Sequence, residues 1–166
     1  MRVAIISDTH LPRGDRALPA ACVERLRGAD LILHAGDLVT AAVLADLRAL
    51  GPPVEAVHGN VDDAQVRMLL PSARLVNADG VRIAMTHDGG GAAGRLERLR
   101  ARFADVDAVV FGHSHIPLHE RDDESGFQIF NPGSPTDRRG QPVHTMGLAR
   151  VGGDGALSFE LIELDP

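Results

Sequence analysis

The sequence predicts an α/β protein in which two sheets pack together with helices outside them. Three observations carry this. Strand-like apolar runs alternate with helix-periodic segments in the order β-α-β-α-β as far as Asn60, and Asp79-Gly80 sits between two alternating runs as a hairpin turn. Four further strand-like runs then fill the C-terminal third, with no helix of comparable strength among them.

Residues 2–7 form a nearly continuous β-branched run, the pattern of a strand buried on both faces. Pro12 and Gly14 punctuate the next stretch as loop, and residues 18–27 regain helical periodicity. A second strand is expected over 30–34, then an Ala/Leu-rich helix over 39–50 that Gly51-Pro52-Pro53 stops, then a third strand over 54–57. Residues 73–77 and 81–86 flank the Asp79-Gly80 turn. After Gly89-Gly90-Gly91 a helix is expected over 92–103, followed by a strand over 107–111. The runs 118–121, 126–130, 145–151 and 157–164 are expected to form an antiparallel sheet.

A chain of 166 residues with 44% hydrophobic residues suits one core, so a single domain over 1–166 is expected. No stretch is long enough to span a membrane and none has a signal-peptide core, which makes the cytoplasm the expected location. Cys22 is the single cysteine, excluding an internal disulfide or a thiolate zinc cluster. A net charge of -6 with no tryptophan or tyrosine disfavours extended nucleic-acid binding. All the basic residues are arginine, which rules out lysine chemistry.

Polar residues recur at the carboxyl ends of the apolar runs, the edge at which open α/β sheets bind ligands. They are Asp8, His10, Asp37, Asn60, His87, His113 and His115. The last two lie in Phe111-Gly112-His113-Ser114-His115; if the backbone stays extended past Gly112, both rings fall on one side. Singly, each residue is an ordinary turn or sheet-edge residue. Together they form an oxygen and nitrogen set without sulfur, suited to manganese first, or to iron, zinc, cobalt or nickel, and poorly to calcium or magnesium. Seven such residues exceed what one tetrahedral ion uses, and fit two divalent transition metal ions sharing one carboxylate.

The order Asp-x-His, Gly-Asp, Gly-Asn, His, Gly-His-x-His resembles the calcineurin-like metallophosphoesterases. Ser7-Asp8-Thr9-His10-Leu11-Pro12 and Asn131-Pro132-Gly133-Ser134 resemble the small YfcE-like phosphodiesterases among them. The resemblance implies a four-layer α-β-β-α sandwich of two mixed sheets. It also implies that Asp8, His10, Asp37 and His115 hold one metal and that Asp37, Asn60, His87 and His113 hold the other, with Asp37 as the bridge. Asp37, Asn60 and His113 would be catalytic. Two cations about 3.5–4 Å apart lower the pKa of a shared water, so that hydroxide is the nucleophile, and offset charge on the phosphoryl oxygens. Their positive charge would draw a small phosphoester to an acidic protein.

Two positions depart from the superfamily pattern. Val61 follows Gly59-Asn60 where many members carry a histidine that protonates the leaving oxygen. Unless His58, Asp62 or a water substitutes, good leaving groups should be favoured over alkyl ones. Asp88 follows His87 where glycine is more usual.

His34 is read either as a hydrogen-bonding group behind the metals or as a structural histidine. Arg13 is a candidate for gripping substrate, and residues 131–134 are expected as a tight turn at the mouth of the site. The rival to an enzyme is a non-catalytic metal-binding scaffold, since a subunit of the retromer trafficking complex resembles these phosphodiesterases in fold. An exposed edge strand in the C-terminal sheet could pair with a second copy to give a homo-oligomer.

Overall fold

Two five-stranded mixed sheets pack face to face in the computed structural model, which describes residues 1–14 and 16–164. The elements are β1 (Arg2–Ile6), α1 (Ala20–Arg27), β2 (Leu31–His34), α2 (Ala41–Arg48), β3 (Val54–Ala56), α3 (Ala64–Leu69), β4 (Ala73–Ala78), β5 (Val81–Thr86), α4 (Arg95–Arg102), β6 (Ala108–Val110), β7 (Leu118–Arg121), β8 (Gln128–Asn131), β9 (Thr145–Val151) and β10 (Leu157–Glu163). The first sheet runs β10-β9-β1-β2-β3 and the second β4-β5-β6-β8-β7.

The period of β1 assigns its neighbours. Val3 and Ile5 point between the sheets, where they meet Ile83, Met85, Val110 and Phe130. Ala4 and Ile6 point the other way, into a cluster with Cys22 and Leu26 of α1 and Leu44 and Leu47 of α2. A third cluster joins Ala84, Val109 and Ile129 of the second sheet to Leu99 of α4. The layers are therefore α-β-β-α, as the sequence predicts. No helix among the described residues is long and apolar enough to cross a membrane.

The structure departs from the sequence reading at one expectation and refines it at two further places. The C-terminal strands do not make one antiparallel sheet. β9 and β10 extend the first sheet antiparallel to β1, whereas β8 lies parallel to β6 in the second and carries β7 antiparallel on its edge. Hydrophobic alternation reports which face of a strand is buried; it does not report which strand lies beside it.

The helix α3, absent from the sequence reading, occupies six residues after an N-cap at Asp63, whose carboxylate accepts from the Val66 N–H at 2.8 Å. It is too short to show periodicity, and Val66 is its buried residue. The helix expected over 92–103 begins only at Arg95, because Gly94 (φ 62°) takes the left-handed conformation at its start.

Candidate metal centre

Five turns leave the strand ends on one side of the two sheets and carry the polar residues. The backbone is not extended there: Asp8, His10, Asp37, His113 and His115 all have positive φ, between 47° and 69°. This corrects the expected geometry of His113 and His115. β6 stops at Val110, and a left-handed turn sends the two rings to different neighbours rather than to one side by strand alternation.

Two donor groups result. In the first, the His10 and His115 Nε2 atoms lie 3.1 Å apart, and His115 Nε2 is 3.4 Å from Asp8 Oδ1. In the second, the Asn60 Oδ1 atom is 3.0 Å from both His87 Nε2 and His113 Nδ1, and His87 Nε2 is 3.3 Å from Asp37 Oδ2. That same Asp37 oxygen is 3.6 Å from His10 Nε2, so Asp37 stands between the groups. Asp8 also lies close to both, since its carboxylate clusters with His10 and His115 and again with Asp37 and His87. All seven residues singled out in the sequence thus meet at one locus.

The ring orientations favour coordination by the inner nitrogens. His87 Nδ1 is 2.8 Å from the Ala35 carbonyl, and His115 Nδ1 contacts the Asp137 carbonyl. A carbonyl only accepts, so each Nδ1 carries a proton, and each ring when neutral turns a lone pair at Nε2 inward. His87 Nε2 then faces two oxygen acceptors, an arrangement that only a proton or a cation satisfies. This is the observation on which a divalent metal fits the site.

The proton affinities follow the same crowding. Burial, reinforced by the nearby Asp37 charge and opposed by His87, pushes Asp8 up to about 7. Burial raises Asp37 too, but its hydrogen bonds with His87 and the Val61 N–H, and the charges of His87 and His10, outweigh that and hold it at about 2. Burial lowers His87, yet Asp37 and Asp8 leave it raised. His10 and His115 are lowered, chiefly by burial.

Two glycines are required by close approach. A Cβ on Gly59 would stand 2.0 Å from Asp37 Oδ1, and one on Gly112 would stand 2.6 Å from Asp8 Oδ2. The glycine before Asn60 and the glycine before His113 thus admit the two carboxylates to the centre.

Several supporting residues escape a reading of the sequence. Asp62, 4% exposed, accepts from three backbone N–H groups: Asp37 (3.1 Å), Val39 (2.5 Å) and Gly59 (2.6 Å). It binds the Gly-Asp turn to the Gly-Asn turn. Residues 131–134 are not a turn at the mouth of the site. They are buried behind it, where Asn131 Nδ2 donates to the Gly112 carbonyl (2.9 Å) and Ser134 Oγ to the Asp8 carbonyl (2.8 Å). Thr136 Oγ1 donates likewise to the Thr9 carbonyl (2.6 Å). The only sequence signal is a run of small polar residues past a strand, whose partners lie more than a hundred residues away for Asp8 and Thr9.

His34 is wholly buried behind the first two turns, 3.2 Å from Thr9 Oγ1 through Nε2 and accepting the Gly36 N–H through Nδ1. Burial, with the charge of His87, pulls it down to about 3 and keeps it neutral. Arg13 is exposed at the rim, 3.9 Å from Asp137 Oδ2.

Residues 1–154 match the calcineurin-like phosphoesterase superfamily domain. A probable metallophosphoesterase of Methanothermobacter thermautotrophicus is 35% identical over 165 residues, 98% of this chain and 92% of that protein. A phosphodiesterase of Methanocaldococcus jannaschii is 24% identical over 146 residues, 80% of this chain and 83% of that one. Among solved structures, Vps29 of Entamoeba histolytica complexed with Zn2+ superposes with a TM-score of 0.76 at 24% identity, covering 99% of this chain and 100% of that one. With the match spanning the strand-end turns and nearly the whole fold, the chain belongs to the calcineurin-like phosphoesterase superfamily.

Proposed function

We propose that this protein is a cytoplasmic metal-dependent phosphodiesterase acting on small phosphoesters. In this reading Asp8, His10, Asp37 and His115 hold one divalent ion, and Asp37, Asn60, His87 and His113 hold a second, with manganese the first expectation. The observation that carries the reading is the position of the Asp37 carboxylate, 3.6 Å from His10 and 3.3 Å from His87, between two sets of inward-facing donors. When bound, such ions supply Lewis acidity and an acidified water.

The chain's own residues set the rest. Asp62 and the 131–136 segment hold the donor turns in their left-handed conformations, so the donors need little rearrangement to bind a cation. Of the substitutes for the histidine missing at Val61, Asp62 has its oxygens taken up by three N–H groups. His58 remains. It is half-buried, and it lines a cavity together with Asn60 and His87. In this reading His58, or a water beside it in that cavity, gives the proton to an alkoxide leaving group.

Purified protein incubated with manganese should hold two metal equivalents and hydrolyse bis(4-nitrophenyl) phosphate. Metal bound without turnover would favour the scaffold reading. His58→Asn should slow alkyl phosphodiesters by about a hundredfold while leaving nitrophenyl esters within a fewfold, because only the poor leaving group needs the proton. Equal losses on both substrates would remove His58 from that role.

Metal uptake should depend on pH in a defined direction. Asp8 sits at about 7 in the fold against 3.8 unfolded. Between those values the metal-free folded chain keeps a proton that the unfolded chain has released, so this group's contribution to stability falls as pH rises across that window. A cation reverses the preference by favouring the carboxylate, and it also displaces the proton that His87, raised, tends to hold. The gain in Tm on adding manganese should therefore be larger at about pH 8 than at about pH 5.5. A gain that is flat or larger in acid would contradict the assignment of Asp8 and His87 as ligands.

A further inference from the structure

A cavity of about 760 Å3 opens beside Asn60 and His87, within the range of small-molecule sites. Its walls include Arg67 of α3 and Arg98 and Arg102 of α4, whereas Asp88 is the one carboxylate among its described lining residues. The ion pairs made by arginines among the described residues involve Arg13, Arg16, Arg74 and Arg100, not these three.

Their partners hold them in place without neutralising them. Arg67 donates to the carbonyls of Asp62 (2.9 Å) and Asn60 (2.7 Å), and Arg98 donates to those of Gly91 and Ala93. Arg102 lies over the Phe103 ring, 4.9 Å from its centroid. Carbonyl dipoles and an aromatic face orient a guanidinium but leave its unit charge, and Arg67 and Arg98 each keep N–H groups beyond the pair engaged. In a chain of net charge -6, a cavity walled by three such cations and one carboxylate holds a local excess of positive charge.

The geometry points to a subsite for a second phosphate group, carried by the same small phosphoester whose scissile phosphate lies at Asp37. This rests on the phosphodiesterase reading for the position of the first phosphate. The preferred substrates are then small phosphoesters bearing a further phosphate on the part of the molecule that reaches past His87. A phosphate suits these walls better than a neutral group, because its several oxygens can take charge-assisted hydrogen bonds from arginines on two different helices.

The test is a calorimetric titration of the manganese-loaded protein with ethylphosphonate and with α,ω-alkanediphosphonates of increasing chain length. The best diphosphonate should bind at least about tenfold more tightly than ethylphosphonate, the gain expected from new charge-assisted hydrogen bonds. In Arg98→Gln and in Arg102→Gln, either of which suffices if the other fails to fold, that ratio should drop toward the statistical factor for two equivalent ends. A wild-type ratio near the statistical factor at every chain length overturns the subsite, with no variant needed. Turnover of bis(4-nitrophenyl) phosphate by the same sample judges the phosphodiesterase reading separately. Turnover with no diphosphonate preference refutes the subsite alone, and a preference without turnover supports the subsite and refutes the enzyme.

Discussion

Asparagine in place of Asp37 is expected to cut hydrolysis of bis(4-nitrophenyl) phosphate by about a thousandfold or more. It should also lower bound manganese from two equivalents to one or none. Among the described residues, Asp37 alone has a carboxylate oxygen within ion-pair distance of a histidine from each donor group, 3.6 Å from His10 and 3.3 Å from His87. Asparagine preserves the volume and an acceptor for the Val61 N–H, which Asp37 Oδ1 takes at 3.0 Å. The fold should therefore survive, as circular dichroism would report, with a lower metal-free Tm because the charge that His87 and His10 favour is gone. What is lost is the negative charge that holds two cations close together. Turnover within about tenfold of the parent would rule out a shared carboxylate as the basis of the mechanism.

Alanine in place of Asp62 is expected to be the most damaging change to stability, at about 3–5 kcal/mol by urea denaturation. The carboxylate is buried and accepts from the Asp37, Val39 and Gly59 N–H groups; truncation strands all three away from water. It also frees two residues from unfavourable backbone conformations, since Asp37 has φ 60° and Val39, a β-branched residue, has φ 89°. The turn that presents Asp37 would relax with them, so manganese affinity should fall by about 10- to 100-fold even where the variant stays folded. Asn at this position keeps one acceptor oxygen and should lose roughly half as much stability. A cost below about 1 kcal/mol for alanine would show that water reaches those amides and that Asp62 does not anchor the turn.

Chain order and burial were legible where a residue's role depends on its neighbours in sequence. The β-branched run of β1 is buried throughout from Val3 to Ile6, and the Asp79-Gly80 turn joins β4 to β5 as its pattern demands. The candidate site was legible for a related reason. Apolar runs that end in Asp, His or Asn mark strand ends. Asp8, Asp37 and Asn60 follow the parallel neighbours β1, β2 and β3 of the first sheet, and His87 and the Gly112-His113 turn follow the parallel pair β5 and β6 of the second. The packing of the sheets brings the two edges together. Asp62, Asn131, Ser134 and Thr136 gave no such signal, because they act on backbone groups of distant segments and any small polar residue in a loop looks the same. The short α3 and the partition of the C-terminal strands between two sheets were hidden for comparable reasons.

By itself the sequence determined which side chains could chelate a cation and that they would lie at strand ends, because apolar periodicity and donor chemistry are local properties of the chain. Tertiary structure alone decided that Asp37 lies between two donor groups, that His113 and His115 part company, and that three arginines with no ion pair among the described residues face one cavity. Each of those is a distance between segments remote in sequence. Such distances are set by how the two sheets pack and by left-handed turns that no residue pattern announces.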